Sequence, residues 1–215
     1  MVRRVGTARS IDIPGPAGML ESLIDDPQDQ PQAIAVLCHP HPLQQGTMHN
    51  KVVSTLARAF SRLGATAVRF NFRGVGRSAG SYADGVGERA DALAVVQWGR
   101  EQRPGLPLYL GGFSFGAMVA MTIADAAGPR GLVTVAPPVK RLPSDFAEPV
   151  CPWLLVQGDR DEVVDPSAVI DWTKTLKSPP TIELSSGVGH FFHGELGALG
   201  DRVTKFFGGD FHSAE

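Results

Sequence analysis

The sequence predicts an α/β fold: a mostly parallel central sheet with helices on both faces. Three observations carry this. Apolar runs rich in β-branched residues alternate with helix-period segments along most of the chain, the pattern of repeated strand–helix–strand units. The runs are apolar enough to be covered on both faces, as parallel strands are. Residues 10–24 read instead as strand, Pro/Gly turn and strand, so an antiparallel hairpin leads into the sheet.

The elements follow in order. Ala33-Ile34-Ala35-Val36-Leu37-Cys38 is the first buried strand. Residues 51–63 form an amphipathic helix, with Val52, Leu56, Ala59, Phe60 and Leu63 on one face. Ala67-Val68-Arg69-Phe70-Asn71 is the next strand, followed by a Gly-rich loop and a helix over residues 88–102. Leu108-Tyr109-Leu110 runs into a turn and a helix of small residues beginning at Ala117. Leu132-Val133-Thr134-Val135, Trp153-Leu154-Leu155-Val156 and Thr181-Ile182-Glu183-Leu184 complete the strands, and a helix over residues 195–207 ends the pattern. There is no internal repeat, low-complexity tract or Pro/Ser-rich linker, so residues 1–215 are expected to form a single domain.

Composition narrows the partners. Hydrophobic residues make up 43% of the 215, an ordinary globular share. The formal charge of −2 is spread along the chain and provides no electrostatic case for nucleic acid or an anionic membrane. Cys38 and Cys151 sit in apolar segments and read as buried free thiols, consistent with a reducing, cytoplasmic location. Met1-Val2-Arg3-Arg4-Val5-Gly6 lacks the apolar core of a secretion signal, and no apolar run approaches the length of a membrane span.

Gly112-Phe113-Ser114-Phe115-Gly116 is the stretch with the most chemistry in it. Between a strand and a helix, this G-x-S-x-G pattern makes a sharp turn that exposes the serine hydroxyl. The turn leaves no room for side chains two positions either side, which suits Gly112 and Gly116. The helix that follows points its positive end at the serine.

Two further residues match it. Asp161 follows the strand at Trp153, and His190 follows the strand at Thr181. In an open parallel sheet, ligands bind beyond the carboxyl ends of the strands, where all three residues fall. A serine hydroxyl needs a base to act as a nucleophile near neutral pH; imidazole is that base, and a carboxylate fixes its tautomer. Asp159 is the alternative acid, and Asp165 before Pro166 reads as a helix N-cap. One N–H for a developing oxyanion comes from Phe115, the residue after the serine. The other is expected from the loop Cys38-His39-Pro40-His41-Pro42-Leu43. Pro40 and Pro42 have no N–H, which leaves His41, with Leu43 as the alternative.

Cofactor readings fail one by one, and none is expected. The Asp159 to Asp165 carboxylates lack the central glycine and terminal glutamate of a calcium loop. His39, His41 and His49 lack the further ligands of a zinc site, and His39 is expected to make local structural hydrogen bonds. The loop Asn71-Phe72-Arg73-Gly74-Val75-Gly76-Arg77-Ser78 has the wrong glycine spacing for a dinucleotide, and Arg73 is expected to brace it.

With these residues in view, the chain resembles the α/β-hydrolase superfamily, and within it the small dienelactone-hydrolase-like and predicted-esterase branch. The resemblance runs from about residue 33 to 193. It rests on His39-Pro40-His41-Pro42, the Arg69 to Ser78 segment, the Ser114 elbow, Gly158 to Asp161, and Gly189-His190-Phe191-Phe192. It implies a serine hydrolase with Ser114, His190 and Asp161 as catalytic residues, acting on a small carboxylic ester. Thioesterase, peptidase, acyltransferase and non-catalytic binding proteins remain the alternatives. Dienelactone hydrolases carry cysteine where this chain has Ser114. Residues 136–151 are too few for the helical lid of many relatives, which implies an open cleft. Leu43, Met48, Val139, Val163, Phe191 and Phe192 are expected to line it.

Overall fold

The computed structural model describes residues 8–211; the N-terminal stretch read above for a secretion signal lies outside them. Strands β1 (Arg9–Gly15) and β2 (Gly18–Asp25) form the expected hairpin. The strands β3 (Ala33–Cys38), β4 (Ala65–Phe70), β5 (Leu108–Phe113), β6 (Gly131–Val135), β7 (Trp153–Gly158) and β8 (Thr181–Ser185) follow, in the sheet order β1-β2-β4-β3-β5-β6-β7-β8. β2 pairs antiparallel with β4, and every pairing from β4 through β8 is parallel.

Among the described residues five α-helices cover the sheet: α1 (Lys51–Leu63), α2 (Val86–Gln102), α3 (Phe115–Ala127), α4 (Pro166–Thr173) and α5 (Leu196–Phe207). α1 and α5 bury Val52, Leu56, Phe60, Leu199, Val203 and Phe207 on one face. α2, α3 and α4 bury Ala92, Val95, Val119, Ala120 and Val169 on the other. The strands alternate between these cores, so β5 sends Leu108 and Leu110 to one and Tyr109 and Phe113 to the other. That two-sided burial is why the strands read as continuous apolar runs. α1 starts where Asn50 accepts the Val52 and Val53 N–H groups (2.9 and 3.4 Å) and stops at Gly64, whose φ of 114° few other residues adopt.

Two expectations need correction. β5 continues past Leu110 to Phe113, because pairing with β3 on one side and β6 on the other carries it through two glycines of low strand propensity. Cys151 is only partly buried and precedes β7, which begins after Pro152; Cys38 is buried as expected. Between β6 and β7 the chain makes one short 3₁₀ turn, Val139–Arg141, and no cap domain. Among the described residues no helix is long and apolar enough to cross a membrane.

One polar cluster ties the hairpin to the parallel sheet. Arg69 on β4 donates from Nε and a terminal nitrogen to both Asp25 carboxylate oxygens (2.8 and 3.1 Å), and from the other terminal nitrogen to the Met48 carbonyl and Ser54 Oγ (3.0 Å each). Both charged side chains are buried. Arg69→Met would strand the Asp25 carboxylate and is expected to cost about 3–5 kcal/mol, measured by urea unfolding, with most of it recovered when Asp25 is also made apolar.

Candidate active site

Sheet order brings the site together. The chain runs from β3 outward to β4 and from β5 the other way, so a crevice opens at the carboxyl ends of β3 and β5. Cys38 pairs with Gly112, which sets the loop after β3 beside the turn after β5.

Ser114 occupies that turn at φ 53° and ψ −120°, a strained conformation for a residue with a side chain. Its N–H donates to the Val135 carbonyl (2.8 Å), and its carbonyl accepts from Ala117 and Met118 (2.9 and 3.1 Å). The flanking glycines are a steric requirement. A Cβ on Gly112 would lie 2.3 Å from the Gly116 carbonyl oxygen, and one on Gly116 would lie 2.3 Å from that of Cys38.

The three residues predicted to act together do meet. His190 Nε2 lies 3.1 Å from Ser114 Oγ, and His190 Nδ1 lies 2.8 Å from Asp161 Oδ2. An ionised carboxylate only accepts, so Nδ1 carries the hydrogen and Nε2 is left to accept from the serine hydroxyl. The imidazole is buried, packed against Phe113 (4.9 Å between centroids) and edge-on to Phe191 (5.1 Å). Asp161 Oδ1 accepts the Val163 and Val164 N–H groups (2.8 and 2.7 Å). Burial alone would raise this carboxyl's pKa; hydrogen bonds from His190, Val164 and Val163 outweigh it and hold the group below its ordinary value. It is therefore charged and acceptor-only near neutral pH.

Asp159, the alternative acid, accepts the Gly187 N–H and so ties the acid loop to the histidine loop. The same two loops touch at Gly158, where a Cβ would lie 2.2 Å from the Val188 carbonyl oxygen. Asp165 caps α4 as expected.

Around the serine, the His41 and Phe115 N–H groups have no acceptor among the described residues, and their rings lie 5.1 Å apart. The Leu43 alternative is removed: its N–H donates to His41 Nδ1 (3.2 Å). His41 Nε2 therefore carries the hydrogen toward the Tyr82 hydroxyl, 3.2 Å away. His39 is structural: Nδ1 donates to the Pro40 carbonyl (2.6 Å) and Nε2 accepts the Phe72 N–H (3.0 Å). Arg73 braces its loop through both Asp91 oxygens (2.9 and 2.7 Å).

Of the expected lining residues, Leu43, Val163 and Phe191 are exposed, and Val139 and Val163 border an open cavity of about 180 Å³ beside the acid loop. Met48 and Phe192 do not line the cleft. Met48 is buried, its N–H held by Asn71 Oδ1 (2.8 Å) and its carbonyl by Arg69. Phe192 turns into the core under α1 and α5. Among the described residues no cluster of His, Cys, Asp and Glu is placed to hold a metal ion. Sequence reasoning missed Tyr82 and Gln157. The signal for Gln157 was an amide ending an otherwise apolar run; Tyr82 had none.

A lidless α/β sheet with a strained serine at its switch point defines the class, and comparison with known proteins agrees. The structure is similar to an α/β serine hydrolase without a lid from Xanthomonas campestris (44% identity, 93% of each chain, TM-score 0.89). It is also similar to an α/β serine hydrolase homologue from Coxiella burnetii (42% identity, 94% of this chain and 98% of that one, TM-score 0.88). An uncharacterized protein of Rickettsia prowazekii is 34% identical over 83% of this chain and 79% of its own length. Residues 29–150 match the family model described as serine aminopeptidase, S33, and the chain belongs to this family of α/β hydrolases.

Two measurements check this geometry. Gly116→Ala drives a methyl group into the Cys38 carbonyl and is expected to give insoluble or strongly destabilised protein on thermal melting. Burial holds the pKa of His39 down, from 6.5 to about 4, against the opposing Pro40 hydrogen bond. The unfolded chain therefore binds this proton first. The stability this contributes is complete above pH 6.5 and is lost as pH falls toward about 4. The loss is on the order of 3 kcal/mol, visible in urea midpoints, and is expected to be much smaller in His39→Gln.

Proposed function

We propose that the protein is a serine hydrolase that cleaves small carboxylic esters through an acyl-enzyme, using Ser114, His190 and Asp161, within one domain and without a cofactor. The observation that carries this reading is the unbroken hydrogen-bond chain from Ser114 Oγ through His190 to Asp161.

His190 Nε2 takes the Ser114 proton as Oγ attacks the acyl carbon. Asp161 holds the imidazole in the required tautomer and stabilises the imidazolium. The negative oxygen of the tetrahedral intermediate is met by the His41 and Phe115 N–H groups and the positive end of α3. His190 then protonates the departing alkoxide, water attacks the acyl group by the same route, and the acid leaves. Because the connection from β6 to β7 holds only the short Val139–Arg141 turn, the cleft admits a small or flexible substrate without a lid having to move.

The family description names aminopeptidases, which would need an anion for the substrate's α-ammonium. The cavity beside the acid loop favours an ester instead. Its rim carries Lys140 and Arg141, while its Asp165 is engaged by Lys140 (3.4 Å) and by the Ser167 and Ala168 N–H groups.

Ser114→Ala is expected to lower kcat/KM for short p-nitrophenyl esters by roughly 10⁴-fold or more, and to abolish labelling by a fluorophosphonate probe. Asp161→Asn, which favours the wrong tautomer, is expected to cost about 10⁴-fold in kcat. Ester hydrolysis at the parental rate by Ser114→Ala would overturn the assignment.

A further inference from the structure

Asp161 has four hydrogen-bond donors, and the fourth is a side chain. Gln157 Nε2 donates to Asp161 Oδ2 at 3.0 Å, the same oxygen that accepts His190 Nδ1–H. Its other N–H faces the Gly158 carbonyl at 3.2 Å. Gln157 is fully buried at the end of β7, and its Oε1 has no partner among the described residues. The reverse amide orientation would set Oε1 against Asp161 Oδ2, acceptor against acceptor, so the carboxylate dictates which way the amide faces. A buried unpaired carbonyl costs stability, and an apolar side chain of similar size would avoid that cost. The fold keeps the amide.

We infer that Gln157 is a positioning residue for the reaction: its amide pins Asp161 Oδ2 on the line to His190 Nδ1 and thereby holds the imidazole toward Ser114. The inference rests on the hydrolase reading of those three residues. The two N–H bonds from Val163 and Val164 reach only Oδ1, so they leave the carboxylate free to pivot about that oxygen. The Gln157 bond removes the pivot. The titratable groups that meet this amide are Asp161 directly and His190 beyond it. Glu162 approaches the His190 N–H (3.3 Å), and the Lys140–Asp165 pair (3.4 Å) lies toward α4 and the Val139–Arg141 turn.

Parent, Ser114→Ala, Gln157→Met and Gln157→Glu are compared by p-nitrophenyl acetate kinetics, fluorophosphonate labelling and thermal melting. Gln157→Met is expected to lower kcat and the labelling rate about 10- to 100-fold, the effect of one hydrogen bond to a charged group, with KM within about twofold. Its Tm changes by only a few degrees, because removing the unpaired Oε1 offsets the loss of one of the four donors to Asp161. In Gln157→Glu the buried acid is protonated at about pH 6 and donates its O–H to Oδ2, so kcat stays near the parental value; towards about pH 9 it ionises, repels Asp161, and kcat falls while the parent's does not.

Parental kcat in Gln157→Met overturns the inference, as does a loss of kcat matched by a large fall in Tm. If the Met variant does not fold, the Glu variant decides: a pH profile parallel to the parent's overturns the inference, and an alkaline loss supports it. Activity surviving in Ser114→Ala would sink the hydrolase reading itself. An inactive Ser114→Ala beside a fully active Gln157→Met removes only the role of Gln157.

Discussion

Backbone meets backbone around Ser114, and the rest of the site depends on that contact. The start of α3 lies against the ends of β3 and β5 so closely that a methyl group at position 112 or 116 would overlap a carbonyl oxygen. Only a paired absence of Cβ atoms lets the turn close and forces Ser114 to φ 53°. Once closed, the turn sets the Ser114 hydroxyl within reach of His190 and brings the His41 loop alongside through the Cys38–Gly112 pairing. The position of Ser114 and the direction of the α3 dipole are consequences of one close approach.

The opposite side of the site is built by saturation. Every lone-pair direction of the Asp161 carboxylate that matters has a donor: two backbone N–H groups on one oxygen, the imidazole and the Gln157 amide on the other. In a buried setting an ion is tolerable only when so paired. The same donors keep it ionised and therefore able to orient His190. The three described imidazoles nearest this crevice divide their work by what each nitrogen meets. His190 joins serine to carboxylate, His41 joins Leu43 to Tyr82, and His39 is locked neutral between the Pro40 carbonyl and the Phe72 N–H.

Much of this could be read before any coordinates. Continuous apolar strands, an amphipathic α1, an Asx cap at Asp165 and the Ser–Asp–His order are local or nearly local signals, and each lies where it was expected. Asp161 was separable from Asp159 by its distance along the loop, and the structure gives the two distinct partners. The misreadings are long-range. β5 outran its propensity because both neighbours hydrogen-bond to it. Met48 and Phe192 looked like cleft residues but point inward, since Asn71 and Arg69 hold the first and the α1–α5 core takes the second. Tyr82 touches the site through a partner 41 residues away that nothing in its own neighbourhood marks, whereas Gln157 meets a partner only four residues on and was signalled by an amide at the end of an apolar run.

By itself the sequence determined the fold class, the sharp turn at Ser114 and the three side chains that meet beside it, because these follow from periodicity, from glycine sterics and from the order of residues at strand ends. Tertiary structure alone decided which backbone N–H groups near Ser114 lacked an acceptor among the described residues, which loop residues were exposed and which buried amide met Asp161. Those outcomes turn on distances of a few ångströms, some within one loop and some between segments far apart in the chain, and such distances are set by backbone turns, sheet register and packing.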